Sequence, residues 1–346
     1  MPGSKILTTP SAIAARLALS AEDLRGLEAA HQVYPLRVTE YYLSLARSAS
    51  LADPILRQCL PHPDEISPEI QGDGEPDPLA EEACLVAPRT VHRYPDRVLF
   101  VCNNCCATRC RHCLRKRHWE LTMPPPTDGE LDQAVAYLTA HPEVREVLVS
   151  GGDPLMMPPD ALRHILARLS TPQSIEILRV GTRVPVTDPE RLSTAHLEAL
   201  RGCGKPVWVA THFNHPWELT PEAGEAVARL VDGGIPVVNQ AVLLRGVNDN
   251  PETLRELFTG LLRLRIKPYY LFHGDPVQGA MHFRTGIDQG LALLDALRGR
   301  VSGLALPAFA FDLPGGKGKI RLEAEDVISR HPDVFRSYEG QVVEYL

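Results

Sequence analysis

The sequence predicts an α/β fold in which parallel strands alternate with helices. Short β-branched runs recur about thirty residues apart from residue 97 onward, and most gaps between them carry an amphipathic helical pattern. Polar residues and glycines gather where these runs end. Strands buried on both faces form parallel sheets with right-handed crossovers, so the pattern fits either a barrel or a doubly wound sheet. In both architectures, ligands bind at the carboxyl ends of the strands.

The predicted strands are apolar runs bounded by turn residues, at 98–103, 146–151, 175–181, 206–213, 236–244, 267–274 and 304–311. Helical periodicity is clear at 128–141 and 220–234. The polar residues that follow the strands should meet at one edge of the sheet, and we expect the functional site there.

Residues 1–90 differ from the rest and predict an N-terminal helical region. One helix is expected over 20–32, where Ser20 with Asp23 resembles a capping box, and a second over 38–49. The stretch 61–82 is acidic and rich in Pro and Gly, which predicts a solvated surface connection. We place the core of alternating strands and helices at 91–300 and a last strand with a C-terminal segment at 301–346.

Composition excludes several classes of protein. With 44% hydrophobic and 23% charged residues, the chain is an ordinary globular one. It has no apolar run of the ~20 residues that span a bilayer, and its N-terminus does not read as a secretory signal. We therefore expect a cytoplasmic protein. The net charge of −7 gives no general electrostatic case for nucleic-acid binding, so small-molecule chemistry is favoured.

The cysteines predict a metal site. The chain has 8 cysteines, and those between Cys102 and Cys113 are clustered in the manner of metal ligands or redox groups. Cys106, Cys110 and Cys113 form C-x3-C-x2-C after a predicted strand. Three thiolates can hold three irons of a 4Fe–4S cluster and leave the fourth open to another ligand. The alternatives are a zinc site that uses one C-x2-C pair, or unliganded cysteines, which suits Cys102 best.

Seven motifs in order carry a resemblance to one family: HRYPDRVLF (92–100), CRHCLRKR (110–117), SGGDPL (150–155), THFNHPWE (211–218), NQAVLLRGVND (239–249), GDPVQGAMHFRT (274–285) and DLPGGKGK (312–319). Together they resemble the lysine 2,3-aminomutase family of radical S-adenosylmethionine (SAM) enzymes, from about residue 41 to about residue 332. The resemblance implies an incomplete parallel (β/α) barrel with an N-terminal helical extension. It implies that a 4Fe–4S cluster, SAM and pyridoxal 5′-phosphate lie in the barrel mouth.

The activity that the resemblance implies is migration of the α-amino group of L-lysine to its β-carbon. The implied partners are an amino acid substrate and an electron donor such as flavodoxin or ferredoxin, in a homo-oligomer, expected to be a dimer. Arginine as substrate, or supply of β-lysine for modifying elongation factor P, are alternatives within this chemistry. A non-enzymatic zinc or iron–sulfur protein is the rival of another class.

The resemblance assigns SAM contacts to Gly151, Gly152 and Asp153, and a further one to Gln240. A simple strand-to-helix turn would also explain the first three, and structural pairing inside the barrel would explain Gln240. The cluster ligands that it implies are the three cysteines of C-x3-C-x2-C.

The resemblance also locates the pyridoxal phosphate. Lys319 matches the lysine that binds its aldehyde, whereas Lys317 replaces a glycine of the family pattern. Arg93 and Arg97 match arginines at its phosphate, an anion that arginine binds bidentately. Arg97 could instead be a surface charge at a strand end.

Three residues are implied to bind the substrate. Arg115 matches the arginine that holds its carboxylate, whereas Lys116 and Arg117 are expected to be solvated or close to the cluster. Asp275 and Asp312 match the pair that holds the ε-ammonium of lysine. Two nearby carboxylates repel unless a cation lies between them, so this pair favours a basic substrate.

The sequence also departs from the family pattern. No cysteine follows Cys203, so the C-terminal cysteines that bind structural zinc in longer members are absent from this sequence. Cys105 and Arg109, next to the cluster cysteines, are unusual for the family.

Overall fold

Ten strands form one open sheet in the computed structural model, which describes residues 3–119, 121–322, 327–330, 333–336 and 341–344. In chain order the strands are β1 (Ile6–Leu7), β2 (Val38–Thr39), β3 (Leu85–Ala87), β4 (Thr90–Tyr94), β5 (Arg97–Asn103), β6 (Glu146–Gly151), β7 (Ile177–Gly181), β8 (Val207–Thr211), β9 (Val237–Leu243), β10 (Lys267–His273), β11 (Ala308–Asp312), β12 (Lys319–Leu322), β13 (Val327–Arg330), β14 (Asp333–Arg336) and β15 (Val342–Glu344).

The helices are α1 (Pro10–Ala14), α2 (Ala21–Val33), α3 (Glu40–Ser44), α4 (Pro54–Cys59), α5 (Pro68–Gln71), α6 (Asp128–Ala140), α7 (Pro159–Leu169), α8 (Val184–Thr187), α9 (Thr194–Arg201), α10 (Pro221–Asp232), α11 (Pro251–Arg263) and α12 (Ile287–Leu297). Among the described residues, none of these helices has the length and apolar character needed to cross a membrane.

Strand order decides between the two predicted architectures. The sheet runs from β3 to β12 in chain order, and each neighbouring pair from β5 to β11 is parallel. A doubly wound sheet reverses its order at a switch point, whereas this order never reverses. Within the described residues, β3 and β12 do not pair with each other, so the barrel is incomplete. The predicted incomplete parallel barrel is confirmed.

The helices between the strands bury one apolar stripe each against the sheet. In α10 the buried positions are Ala223, Ala226, Val227 and Leu230, which is the i, i+3, i+4, i+7 spacing of one helix face. The facing layer of the sheet includes Val98, Phe100 and Cys102 of β5, all buried in the same core. Because alternate residues of a strand point to opposite faces, the residues between them face the barrel interior.

The N-terminal region differs from the sequence prediction in two places. The first helix is confirmed as α2, with Ser20 accepting from the Asp23 amide. The second is much shorter than 38–49. Val38 and Thr39 pair with β1, and α3 ends at Ser44, after which the amides of Arg47 and Ser48 donate to the Asp53 carboxylate that caps α4.

The acidic stretch 61–82 is only partly solvated: Glu69, Asp73 and Glu75 are exposed, whereas Glu65 and Glu81 are buried. The expectation of a solvated connection was wrong for these two carboxylates, whose basic partners are described below. The barrel sheet itself begins at Leu85. Of the C-terminal segment predicted from residue 301, residues 323–326, 331–332, 337–340 and 345–346 lie outside the described part of the chain.

Candidate active site

A cavity with a volume of about 660 Å³ lies inside the barrel. Its lining includes every site residue predicted from the sequence: Arg93, Arg97, Cys106, Cys110, Cys113, Arg115, Gly151, Gly152, Asp153, Gln240, Asp275, Asp312 and Lys319. The fold therefore brings together residues that are far apart in the chain: Arg93 and Lys319, the first and last of them, are separated by 226 positions. Their individual surroundings show what each could bind.

The loop after β5 presents the three predicted cluster cysteines to this cavity. The Arg37 guanidinium donates to the carbonyl oxygen of Cys106 at 2.6 Å, and the Cys113 amide donates to that of Cys110 at 2.8 Å. Burial raises the pKa of the Cys106 and Cys113 thiols, so a metal that binds them must displace their protons.

The remaining cysteines near the loop are placed differently. Cys102 is buried on β5 in the hydrophobic core, as expected for an unliganded cysteine, and Cys105 is exposed. In the described part of the chain, no three His, Cys, Asp or Glu side chains converge as ligands of one metal ion. The thiolates of a four-iron cluster bind separate irons, so they need not converge on a single point.

A buried ion cluster fixes the cysteine loop to the N-terminal region. Glu65 accepts from Arg111 at 2.9 and 2.5 Å and from Lys116 at 2.7 Å, and all three residues are buried. Burial alone would raise the pKa of Glu65, but the two cations lower it to about 2. Of the two settings expected for Lys116, solvent is excluded by its burial, and a position close to the cysteine loop remains. The signal that sequence analysis missed is the match between an acidic stretch and a basic loop.

Glu81, on the same acidic stretch, holds Arg115. The Nε and Nη2 groups of Arg115 donate to the two carboxylate oxygens of Glu81 at 3.0 and 2.5 Å. Arg117 Nη2 contacts Glu81 at 3.3 Å and Asp77 at 3.2 Å. Glu81 thus occupies the lateral edge of the Arg115 guanidinium and leaves its Nη1 end for another carboxylate.

The glycine pair after β6 touches the cysteine loop. A Cβ on Gly152 would lie 2.5 Å from Asn103 Oδ1 and from the Cys105 nitrogen, and one on Gly151, at φ 115°, would lie 2.6 Å from the Asn103 oxygen. Glycine is therefore required here by close approach of backbone to backbone. The same contacts also place this turn next to the cluster cysteines.

Asp153 uses its carboxylate on the protein. Its oxygens accept from the Thr182 hydroxyl at 2.7 Å, and from the amides of Arg183 at 2.7 Å, Leu155 at 3.0 Å and Val184 at 3.1 Å. These four donors fill the lone pairs of a carboxylate. The backbone of Asp153 is engaged as well, since its amide donates to the Cys105 carbonyl at 2.8 Å and its carbonyl accepts from Asn103 Nδ2 at 3.2 Å. Gln240, by contrast, lines the cavity, and its side-chain amide makes no hydrogen bond to another described residue.

Arg93 on β4 and Arg97 at the start of β5 also line the cavity, whereas the cysteine loop follows the end of β5. Arg93 donates to the Leu79 carbonyl at 3.1 Å, and its Nη2 lies 3.8 Å from Asp312 Oδ1. Arg97 begins β5, pairs with Asp96 at 2.8 Å and lies over the Tyr94 ring at 4.1 Å. Both guanidiniums could bind a phosphate that enters the cavity.

Lys319 and the two predicted substrate aspartates form one charged group. Lys319 pairs with Asp312 across β11 and β12, and its Nζ donates to Asp312 Oδ2 at 2.6 Å. Asp312 Oδ1 is buried without a hydrogen-bond partner among the described residues. Burial and the Asp312 charge raise the pKa of Asp275 to about 7, against the opposing effect of Lys319. Lys317, in the same loop, is exposed.

Arg183 is the charged residue that sequence analysis missed. It follows β7, and its side chain donates to the Cys110 thiol at 3.0 Å and to Glu218 at 2.7 Å. Its position after the strand, in the sequence GTRVP, was the available signal.

Comparison with known proteins identifies the family of this chain. The Radical SAM superfamily matches residues 100–258, and the Lysine-2,3-aminomutase family matches residues 294–346. The L-lysine 2,3-aminomutase of Bacillus subtilis is 39% identical to this chain over 94% of the chain and 69% of its own length. The chain belongs to the lysine 2,3-aminomutase family. It is an isomerase of the radical SAM type, and the family implies a 4Fe–4S cluster and SAM.

Other relatives of this aminomutase-family chain widen the comparison. A protein of Aquifex aeolicus is 46% identical over 95% of the chain and 89% of its own length. The glutamate 2,3-aminomutase of Clostridioides difficile is 37% identical over 89% of the chain and 72% of its own length. The family therefore includes members named for substrates of opposite side-chain charge, and the residues of the cavity must be used to choose between them.

The residues present fit the groups that the family implies. Three thiols on one loop supply the soft donors that a cluster needs, and the Gln240 amide is free for a polar ligand. The orphaned oxygen of Asp312 requires a further donor, and Lys319 lies where it could bind an aldehyde. The cavity thus offers a sulfur-rich side and a side with charged aspartate and lysine side chains.

Proposed function

We propose that this chain is a lysine 2,3-aminomutase that moves the α-amino group of L-lysine to the β-carbon. Cys106, Cys110 and Cys113 would hold the cluster. Gln240 and the turn at Gly151 and Gly152 would hold SAM. When bound, these groups and pyridoxal phosphate supply the radical that removes a substrate hydrogen and the carrier for the migrating nitrogen.

The pyridoxal phosphate would be held by Lys319 and by the guanidiniums of Arg93 and Arg97. A lysine binds the aldehyde through its amine, so Lys319 cannot then neutralise Asp312 as an ammonium. The Phe272 ring, 4.2 Å from Lys319 Nζ, gives that side of the cavity an apolar surface. Arg93, already 3.8 Å from Asp312, would connect the phosphate side to the substrate side.

The aspartate pair carries the choice of substrate. Burial first, and the negative charge of Asp312 second, raise the pKa of Asp275 to about 7. Once Lys319 is engaged elsewhere, the pair needs another cation, and the ε-ammonium of lysine supplies it. A glutamate side chain would add a third negative charge to this group and leave it without a partner, which is strongly unfavourable in a buried site.

At the other end of the substrate, Arg115 would bind the α-carboxylate. Its Nη1 end is the part of the guanidinium that Glu81 leaves unused. Because Glu81 binds the Nε and Nη2 groups, the Arg115 guanidinium is held in one orientation, and so is a second carboxylate bound at its Nη1 end. The two ends of lysine would thus be bound by opposite charges at the two sides of the cavity.

Turnover of an amino acid panel by the anaerobically reconstituted protein tests this proposal. We expect about four irons per chain, absorbance of a pyridoxal–lysine adduct, and conversion of L-lysine to β-lysine detected by mass spectrometry. Zinc in place of iron would support the non-enzymatic rival. Turnover of arginine faster than that of lysine would support the same reaction with arginine as the substrate. Turnover of glutamate or alanine as fast as that of lysine would contradict the proposal.

A further inference from the structure

Arg183 connects the predicted cluster to the N-terminal region. Its Nη1 donates to Cys110 Sγ at 3.0 Å, its Nε donates to the His212 carbonyl at 3.1 Å, and its Nη2 donates to Glu218 at 2.7 Å. The same Nη2 lies 2.9 Å from the Tyr42 hydroxyl and 2.8 Å from Gln58 Oε1. Every nitrogen of the guanidinium therefore has a defined acceptor.

The surroundings of Arg183 hold it rigidly and keep it charged. Its side chain is 8% exposed and that of Glu218 is not exposed at all. The other oxygen of Glu218 accepts from the amides of Asn214 and His215, so Glu218 cannot turn away. Burial alone would disfavour the charged guanidinium, but the buried carboxylate of Glu218, 2.7 Å away, supplies its counter-charge.

Among the described residues, Arg183 is the charged side chain that donates to a thiol of the Cys106, Cys110 and Cys113 set. Cys113 Sγ instead accepts the backbone amide of Arg115 at 3.4 Å. Arg109, which directly precedes Cys110 in the chain, points its guanidinium at the carbonyls of Pro35 and Trp119. Proximity in sequence therefore does not produce the contact with sulfur.

We propose that Arg183 is a positioning residue that raises the reduction potential of the cluster through its hydrogen bond to Cys110. A charged N–H donor withdraws electron density from a cluster sulfur, and hydrogen bonds to sulfur are among the features that set the potential of a cluster. Reduction adds negative charge to the cluster, and a fixed cation in a buried site stabilises that charge. The electron donor would then reduce the cluster more readily.

This inference rests on the cluster assignment of the proposed function but not on lysine as substrate. The decisive measurement is the midpoint potential of the reconstituted protein without SAM or amino acid, followed by EPR and normalised to bound iron and sulfide. The main variant is R183Q/E218Q, which removes both charges and so leaves no uncompensated carboxylate. R109Q is the matched control, because it removes a cation next to Cys110 without removing a donor to sulfur.

We expect R183Q/E218Q to shift the potential to a more negative value than wild type, and R109Q to change it much less. R183K keeps the charge, but its single amine cannot reach all of the acceptors. Its potential should therefore lie between that of wild type and that of R183Q/E218Q. If the double variant does not load iron, a negative shift in R183K supports the proposal and an unchanged potential overturns it.

Equal potentials in iron-loaded wild type, R183K and R183Q/E218Q would contradict this inference and leave the proposed function intact. A shift in R109Q as large as that in the double variant would show that general charge, and not the hydrogen bond, sets the potential, which would also overturn it. Wild-type protein that binds no iron would contradict the proposed function and this inference together.

Discussion

Lys319 Nζ lies 2.6 Å from Asp312 Oδ2, and the two residues face each other in the register of β11 and β12. The lysine expected to bind a cofactor therefore neutralises the aspartate expected to bind the substrate. An ammonium group already occupies the position where the ε-ammonium of lysine should bind. Cofactor and substrate binding would exchange one cation at Asp312 for another, so the buried carboxylate keeps a partner throughout.

The cysteine triplet can be tested by iron loading. Substitution of Cys106, Cys110 or Cys113 by Ala should abolish iron binding and SAM cleavage, because each thiolate holds one iron. Cys102→Ala, Cys105→Ala and Cys203→Ala are the matched controls and should load iron normally. Loss of iron in Cys105→Ala would show that the triplet is assigned wrongly.

The two lysines of the glycine-rich loop can be separated by borohydride reduction of the pyridoxal-phosphate-loaded protein. Peptide mass mapping should find the cofactor on Lys319, whose amine points into the cavity, and not on exposed Lys317. Lys317→Ala should retain cofactor binding and Lys319→Ala should lose it. Labelling of Lys317 in wild type would reverse this assignment.

Removal of either substrate aspartate should reduce catalysis. Truncating one member of a buried charge pair costs ~2–5 kcal/mol, so Asp275→Ala and Asp312→Ala should each lower kcat/KM for lysine by roughly two to three orders of magnitude. Iron content and cofactor attachment should remain normal. Asp288→Ala, at an exposed position of α12, is the control and should retain full activity. Full lysine activity in both cavity variants would refute the role of the pair.

The raised pKa of Asp275 predicts a pH-dependent stability in the protein without cofactors. Because its pKa is about 7 in the folded protein against 3.8 ordinarily, its contribution to stability is complete below pH 3.8 and is lost as the pH rises through 7. Asp275→Asn cannot ionise, so its free energy of unfolding relative to wild type should increase over this range. Urea denaturation at several pH values measures the difference, and a flat difference would contradict the prediction.

Glu65 should be essential for anchoring the cysteine loop. Glu65→Gln leaves Arg111 and Lys116 buried without a counter-charge, which should cost about 3–5 kcal/mol in the free energy of unfolding. The pKa of about 2 means that this contribution is present above pH 4.5 and is lost as the pH falls through 2. Glu69→Gln, exposed on the same stretch, should change stability little. Similar stabilities of the two variants at pH 7 would contradict this anchoring role.

The chain's local patterns were sufficient to predict the seven parallel strands β5 to β11, the cysteine loop and the polar residues at the strand ends, but not the antiparallel strands β3, β4 and β12. A strand such as β6 is specified by its own alternation of buried and inward-facing residues, and C-x3-C-x2-C is a local spacing. The family motifs are local as well, and every site residue predicted from them lies in the lining of the cavity. The short α3 was not predicted, because pairing of Val38 and Thr39 with β1 and the hydrogen bonds of the Arg47 and Ser48 amides to Asp53 override the helical pattern at its two ends.

Tertiary structure alone decided which charges meet. Nothing in the separate segments shows that Glu65 pairs with Arg111 and Lys116, that Glu81 holds Arg115, or that Arg183 contacts Cys110, because these contacts join elements far apart in the chain. A carboxylate on a polar segment is expected to be exposed to solvent, because burial of an unpaired charge is costly. Only the fold shows that a cation lies beside it and that the two are buried as a salt bridge. The unreversed strand order brings Arg183 and Cys110 to the same edge of the sheet, and packing of the N-terminal region against the cysteine loop buries the pairs made by Glu65 and Glu81.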